Sequence, residues 1–386
     1  MEGDFIKINP WLLPLSWIYG LGVWIRNLLF DTGMIKSRTF DVPVISVGNI
    51  TVGGSGKTPH VEYLIRLLHD KTKVAVLSRG YKRKSKGYRL AGPNTTMKEI
   101  GDEPYQMLQK FKDIHIAVNA NRCKGIETLM QSPETKDTGL VLLDDAYQHR
   151  YVKPGLNILL VDYHRLIIYD KLLPAGRLRE PKEGKNRADI VIITKCPKNL
   201  KPMSFRVLRR AMALYPWQQL YFTTIEHEDL VPLFPEGNET PDCNNMPNVL
   251  LLTGIASPEQ IMNDIKAHCK SITPMTFADH HLFTPSDIEA INMAYKMMPK
   301  PAVIITTEKD ATRLECVNGL SEEVRKNIYV QPIKVSFMLD EEEKFNNNII
   351  DYVRKNQRDR RMAESANDNN TADSGSSGDR PRTICF

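Results

Sequence analysis

Between an apolar run at residues 42–50 and the helical pattern that follows, the chain reads Thr51, Val52, Gly53, Gly54, Ser55, Gly56, Lys57, Thr58. These residue types at this spacing suit one task, the holding of a polyphosphate. Backbone N–H groups crowd around phosphate oxygens only where side chains are absent, which is the use of Gly53, Gly54 and Gly56; Lys57 adds a point charge and Thr58 a hydroxyl for magnesium. One position departs from the usual G-x-x-x-x-G-K-[ST] pattern, which has glycine where this chain has Thr51. A glycine turn without a ligand is the plainer explanation, and the order of strand, loop and helix weighs against it. The implied ligand is ATP or GTP.

Magnesium on a triphosphate needs a carboxylate as well, and the apolar run at residues 140–143 ends in Asp144 and Asp145. At the carboxyl edge of a sheet Asp144 can reach an ion held by Thr58, with Asp145 beside it; alternatively the two acids only cap a turn. Gly101, Asp102, Glu103 and Pro104 precede a helical stretch. Asp102 or Glu103 is then either its N-cap or, in transfer to an alcohol, the acceptor of the hydroxyl proton. Residues 277–283 offer His280 and His281, which are either satisfied surface imidazoles or relays for that proton. Arg79, in the basic run 78–84, and Arg179, in 173–181, carry the forked donors that match phosphate oxygens. The neighbouring lysines are solvated charge or face an anionic membrane.

The elements that must position these groups follow from hydrophobic periodicity. Apolar, β-branched runs at 73–77, 114–118, 140–143, 157–161 and 189–194 alternate with helical patterns, the signature of a parallel sheet wrapped by helices. A second series at 220–225, 249–255, 302–306 and 328–335, with helices near 258–268 and 285–297, predicts a second, smaller α/β unit. Residues 232–247 read as a loop or linker. The fold class is therefore α/β: a P-loop NTPase-like parallel sheet flanked by helices, a second α/β domain and an N-terminal amphipathic helix. The expected spans are 1–40 for a membrane-associating segment, 41–225 for the phosphate-binding core, 226–355 for the second domain and 356–386 for a disordered tail, since residues 363–382 hold no large apolar side chain.

Composition narrows the partners. A chain of 386 residues with 41% hydrophobic content can bury full cores. Its net charge of +6 argues weakly for an anionic partner and not for nucleic acid. Cys123, Cys196, Cys243, Cys269, Cys316 and Cys385 show no C-x-x-C spacing, which points to reduced thiols in a cytosolic setting and to no metal cluster. Near the amino end, residues 11–25 are uncharged but interrupted by Pro14 and two glycines, short of the ~20 apolar residues of a spanning helix. Trp17, Leu21, Trp24 and Leu28 recur on one helical side with Arg26 opposite, so the segment either lies in a membrane interface or packs on the protein's own core.

Residues 47–59, 78–81, 101–104, 143–150, 172–181 and 307–310, in that order, resemble the signature motifs of the tetraacyldisaccharide 4'-kinases, the lipid A kinases of Gram-negative bacteria. The likeness runs from about the first helix to about Phe337, and that family's phosphate loop also lacks the first glycine. It implies transfer of the ATP γ-phosphate to the 4'-hydroxyl of a tetraacylated glucosamine disaccharide 1-phosphate at the cytoplasmic face of the inner membrane. ATP and Mg2+ would be the cofactors and the glycolipid and membrane surface the partners, with no obligate protein partner evident. By the same resemblance Asp102 takes the proton with help from His280, or from His281 if the alignment shifts by one residue. Asp144 and Asp145 manage magnesium, and Lys57 and Thr58 keep their P-loop roles. Arg79, Glu103, Arg122, Gln148, Arg179 and Glu180 would line phosphates or sugar, while Arg177 has no assigned role. Two rivals remain: a P-loop GTPase-type regulatory switch at the membrane, for which Thr194 and Lys195 offer a faint guanine-reading element without the full N-K-x-D pattern, and a membrane adaptor with a vestigial nucleotide site.

Overall fold

The computed structural model describes residues 6, 8–241, 246–255 and 258–373. Cys243, Cys385, part of the expected linker and the last stretch of the expected tail (374–386) lie outside them. A nine-stranded sheet is built on seven parallel strands: β1 (Val44–Gly48), β2 (Val74–Ser78), β4 (His115–Val118), β5 (Leu140–Asp144), β6 (Leu156–Asp162), β7 (Ile190–Thr194) and β8 (Gln219–His227). Two antiparallel strands, β3 (Arg89–Leu90) and β14 (Ile333–Phe337), close its edges in the order β14-β8-β7-β6-β1-β5-β2-β4-β3. The central strands β1, β2, β5 and β7 are buried along their whole length, which is why they read as unbroken apolar runs rather than alternating ones.

Helices cover both faces. Val61, Leu64, Ile65 and Leu68 of α2 (Lys57–Leu68) and Met107 of α4 (Asp102–Lys110) share one core with Phe345, Ile349 and Val353 of α11 (Glu342–Asp373). On the opposite face lie α5 (Arg122–Gln131) and α6 (Pro202–Met212). A one-turn helix, α3 (Met97–Ile100), precedes α4. Each large apolar side chain buried this way is worth roughly 1.5–3 kcal/mol, so α11 is part of the first unit.

The second sheet has the order β11-β10-β12-β13-β9, with β9 (Val231–Pro232), β10 (Met246–Thr253), β11 (Cys269–Thr276), β12 (Ala302–Thr307) and β13 (Ile328–Gln331). On one face of it pack α8 (Pro285–Met297), α9 (Glu308–Leu314) and α10 (Glu322–Lys326), and on the other α7 (Glu259–Lys266).

Three expectations need correction. The apolar run 328–335 is two strands, because Pro332 supplies no N–H to a ladder; β13 completes the second sheet while β14 crosses back to pair with β8. The second unit therefore ends near Pro332, not at 355. Residues 269–276 form a strand, β11, where none is expected: it is a solvated edge that accommodates Pro274, with little apolar signal. Finally, α11 continues through Asp373, into the stretch expected to be disordered. Its anchors Phe345, Ile349 and Val353 recur every fourth residue, and the Arg, Gln, Met, Ala and Glu that follow are good helix formers able to prolong a nucleated helix.

The amino-terminal helix α1 (Leu13–Asp31) is preceded by a 3-10 turn, and the 22 residues Pro10–Asp31 are long and apolar enough to cross a membrane. The helix outruns the uncharged stretch because Arg26 is accommodated within it. Polar attachments tie it to the first unit: Ser16 Oγ donates to Leu172 O (3.0 Å), Tyr19 Oη to Arg179 O (2.7 Å) and Arg26 to Gln148 O (3.1 Å), while near its end the buried Phe30 stands edge-on to Tyr151. Trp11, Trp17, Ile18, Leu21 and Trp24 face outward, Trp17 being 72% exposed. Core packing is thus not what these side chains do.

Candidate active site

The phosphate loop is shaped before any ligand arrives. Gly56 takes φ +79° and hands the chain to α2 at Lys57, a conformation in which a side chain would be strained. Asn49 Nδ2 donates to Ser55 Oγ at 2.8 Å and to Thr51 Oγ1 at 3.2 Å, and Thr194 Oγ1 donates to Ser55 O at 3.0 Å. Thr51 forms an antiparallel bridge with Leu178, and Val52 N donates to Arg177 O at 2.8 Å. A residue committed to such a bridge has no need of glycine's freedom, which accounts for the departure from the usual pattern. Gly53 and Gly54 leave the loop bare, and the exposed Arg177 brings a guanidinium nitrogen to 3.9 Å from where a Cβ on Gly53 would lie. Lys195 Nζ donates to Gly54 O and, at 2.9 Å, to Asp162. That lysine braces the loop, so it is not free to read a guanine.

Around the loop the structure gathers most of the expected charges. Lys57 Nζ lies 3.6 Å from Asp145, whose other oxygen is 3.5 Å from Arg179; Arg179 also donates to Gln148 Oε1 at 3.2 Å. Asp144 ends β5, is 1% exposed and accepts from Ser78 Oγ at 3.2 Å, while its Oδ1 has no partner. Burial, followed by repulsion from Glu103 and Asp145, pushes its carboxyl up to about 7. An orphaned buried carboxylate oxygen at the end of the strand next to the phosphate loop's own strand fits a divalent cation that also takes phosphate oxygens. Among the described residues no three His, Cys, Asp or Glu form a metal cage by themselves.

Other expected contacts lie differently. Arg122 is buried and donates to Asn119 O (2.9 Å) and Asp144 O (3.1 Å), bracing the end of β5; burial lowers its pKa to about 10. Glu180 is buried against Arg187, 2.9 Å away. Arg79 is exposed at the end of β2.

A second constellation forms where the two units meet. The tight backbone at Gly101, φ +93°, where a Cβ would lie 2.8 Å from Tyr81 O, starts α4 with Asp102 in its first turn. From the second unit His280 Nδ1 donates to Asp102 Oδ2 at 2.5 Å; the tautomer follows from this partner. His280 has φ +58°, and the Tyr81 ring stands edge-on to its imidazole at 5.4 Å. His281 turns away to Asp287 Oδ2 at 2.9 Å and stacks on Phe277. Of the two histidines, His280 is the one in contact with Asp102. Three ion pairs join α4 to α9: Asp102 with Arg313 (2.7 Å), Glu103 with Lys309 (2.7 Å), and Lys110 with Glu308. Burial by itself would raise the Asp102 carboxyl, but hydrogen bonds and charge from His280 and Arg313 outweigh it and hold the group well below the carboxylate range. The sequence alone singles out no role for Arg313, nor for Lys309 and Ser78, which lie within the motifs 307–310 and 78–81. The available signal was Asp310 three residues before Arg313 on a helix opened by Thr307, a pair that meets on one face.

The glycine-cushioned loop at the carboxyl edge of a parallel sheet, with Asp144 and Asp145 ending the neighbouring strand and a carboxylate–imidazole pair joining the two units, defines the class, a P-loop kinase of two α/β units. A sequence model described as "LpxK: Tetraacyldisaccharide-1-P 4'-kinase" matches residues 8–354. The tetraacyldisaccharide 4'-kinase of Phocaeicola vulgatus is 58% identical over 361 residues, covering 93% of this chain and 99% of its own; that of Bacteroides thetaiotaomicron is 51% identical over 377 residues, covering 95% and 99%. A crystal structure of the "apo" form of LpxK from Aquifex aeolicus in complex with ATP aligns with TM-score 0.66 and 30% identity, over 89% of this chain and 98% of that one. The chain belongs to the tetraacyldisaccharide 4'-kinase family, the kinases of lipid A biosynthesis.

Proposed function

We propose that the protein transfers the γ-phosphate of ATP to the 4'-hydroxyl of a tetraacylated glucosamine disaccharide 1-phosphate at the cytoplasmic face of the inner membrane. Residues 51–58 cradle the phosphates, with Lys57 on the γ side and Arg179 and Gln148 supporting Asp145. Thr58, Asp144 and Asp145 would hold magnesium, which when bound offsets charge on the phosphates. The sugar oxygen forms its bond to Pγ as the bond from Pγ to the β-phosphate oxygen breaks, and ADP leaves with that electron pair. The hydroxyl proton passes to the Asp102–His280 pair, Asp102 being the acceptor and His280 its partner. Arg79, exposed at the end of β2, and Glu103, in the first turn of α4, are candidates for meeting the sugar or its phosphate.

The observation that supports this reading most is the direct bonding of α1 to the phosphate site. Tyr19 and Arg26 hold the backbone of Arg179 and Gln148 while the tryptophans on the other side face outward. Such a helix lying in a lipid interface would bring a membrane-held sugar beside the triphosphate. Incubation with γ-labelled ATP and the disaccharide 1-phosphate in mixed micelles tests the reaction: label is expected on the 4'-oxygen, and label found only in inorganic phosphate overturns the assignment. Replacing Trp17 and Trp24 with Ser should lower partitioning onto anionic vesicles about 10-fold or more and leave ATP affinity unchanged; equal partitioning would remove the membrane role of α1.

A further inference from the structure

We infer that Arg313, reaching from the second unit, is a positioning residue for phosphoryl transfer, fixing the Asp102 carboxylate in the orientation in which it meets His280. The inference rests on the reading of Asp102 as proton acceptor. Arg313 is 2% exposed, and both terminal nitrogens of its guanidinium are engaged: one donates to Asp310 Oδ1 at 2.8 Å and to Gly254 O at 3.3 Å, the other to Asp102 Oδ2 at 2.7 Å. The second nitrogen also lies 3.4 Å from His280 Nδ1. Asp310 cannot yield, since its Oδ2 accepts from Gly254 N (2.8 Å) and Thr307 Oγ1 (2.7 Å) and the residue is wholly buried. The planar fork is therefore clamped at its base, and its free edge sets where Asp102 can sit. Asp102 Oδ1 accepts from Glu103 N at 3.0 Å, so both carboxylate oxygens are oriented and the plane of the carboxylate is fixed.

A merely structural ion pair would need no third member, yet here one carboxylate oxygen serves both the imidazole and the guanidinium. The groups that face Asp102 are Glu103 on its own helix, Arg313 and Lys309 on α9 with Asp310 behind them, His280 with Asp279 on the loop after β11, and Tyr81 on the loop after β2. Of these, Arg313 is the fixed cation in contact with the proton-accepting oxygen. A cation there opposes proton uptake by the Asp102–His280 pair, whichever member carries the proton. It keeps the pair unprotonated until a hydroxyl is delivered. Because Arg313 and His280 both belong to the second unit and Asp102 to the first, the acceptor is complete only when the two units are together.

The test is the pH profile of kcat for the full chain with ATP and the disaccharide 1-phosphate in mixed micelles. Arg313→Gln should lower kcat about 10- to 100-fold with little change in KM for ATP. It should also move the acidic limb of the profile to higher pH by about one unit, because a neighbouring positive charge has been removed. Arg313→Lys keeps the charge but cannot span Asp310 and Asp102 together, so it should return the limb part of the way. If the Gln variant does not fold, Arg313→Met, which removes the charge from a side chain of similar reach, takes its place in reading the limb. A limb left at its wild-type position overturns the inference, since loss of a purely structural contact lowers stability without moving it. Asp102→Asn separates the two layers: wild-type turnover in that variant would sink the proton-acceptor reading itself, whereas lost turnover there beside an unmoved limb in the Arg313 variants sinks only the role of Arg313.

Discussion

Asp102 at the seam between the units and Asp144 at the end of β5 are both shielded carboxylates, yet the protein treats them oppositely. Asp102 is supplied with His280 and Arg313, so its charge is satisfied from within the fold. Asp144 receives a single hydroxyl, keeps an orphan oxygen and carries a raised pKa. When environment pushes two acids apart in this way, it suits them to different tasks: in the proposed reaction Asp102 would take the proton and Asp144 would meet the cation that comes with the nucleotide.

Removing each acid tests that division. Asp102→Ala should cut turnover by about 10²–10⁴-fold with ATP binding nearly intact. It should also lower the Tm, because Arg313 loses a buried partner, a loss that costs about 3 kcal/mol where charges are left uncompensated. Wild-type stability in that variant, measured by calorimetry, would break the comparison. Asp144→Asn should lower turnover by a somewhat smaller factor, on the order of 10²-fold, and abolish the added thermal stabilisation that magnesium gives the ATP complex. Without ligands, however, the same substitution should leave Tm unchanged or raise it. The smallest effect is in pH dependence. A carboxyl whose folded pKa is raised from 3.8 to about 7 contributes stability that is complete below pH 3.8 and is lost as pH rises through 7. The ligand-free protein should therefore lose stability relative to Asp144→Asn across that window; a constant difference between the two would show that Asp144 titrates normally.

The two regions also differ in how far they could be read beforehand. The phosphate loop is contiguous, so Gly53, Gly56, Lys57 and Thr58 announce themselves, and the apolar run ending in Asp144 points at the same sheet edge. The seam is assembled from residues 102, 280 and 313, and nothing local in a sequence says that α4 faces α9. His280 was legible only as one of two adjacent histidines, and their opposite directions follow from the left-handed backbone at His280. Arg122 and Glu180 illustrate the converse: motif membership named them, but their burial against Asp144 O and Arg187 is a packing outcome. In the fold, the fully buried strands were plain from composition. The solvated edge strand β11 and the break at Pro332 depend on which strands become neighbours, which is decided by the whole sheet.

Ile333 of β14 lies opposite His227 of β8, so the points where the chain departs for the second unit and comes back from it are about 5 Å apart. The second unit is thus a cassette spliced into one edge hairpin of the first. A short turn joining residues 227 and 333 would excise it and leave the sheet register of its host untouched. The product would keep the Lys57 loop and forfeit His280 and Arg313 together.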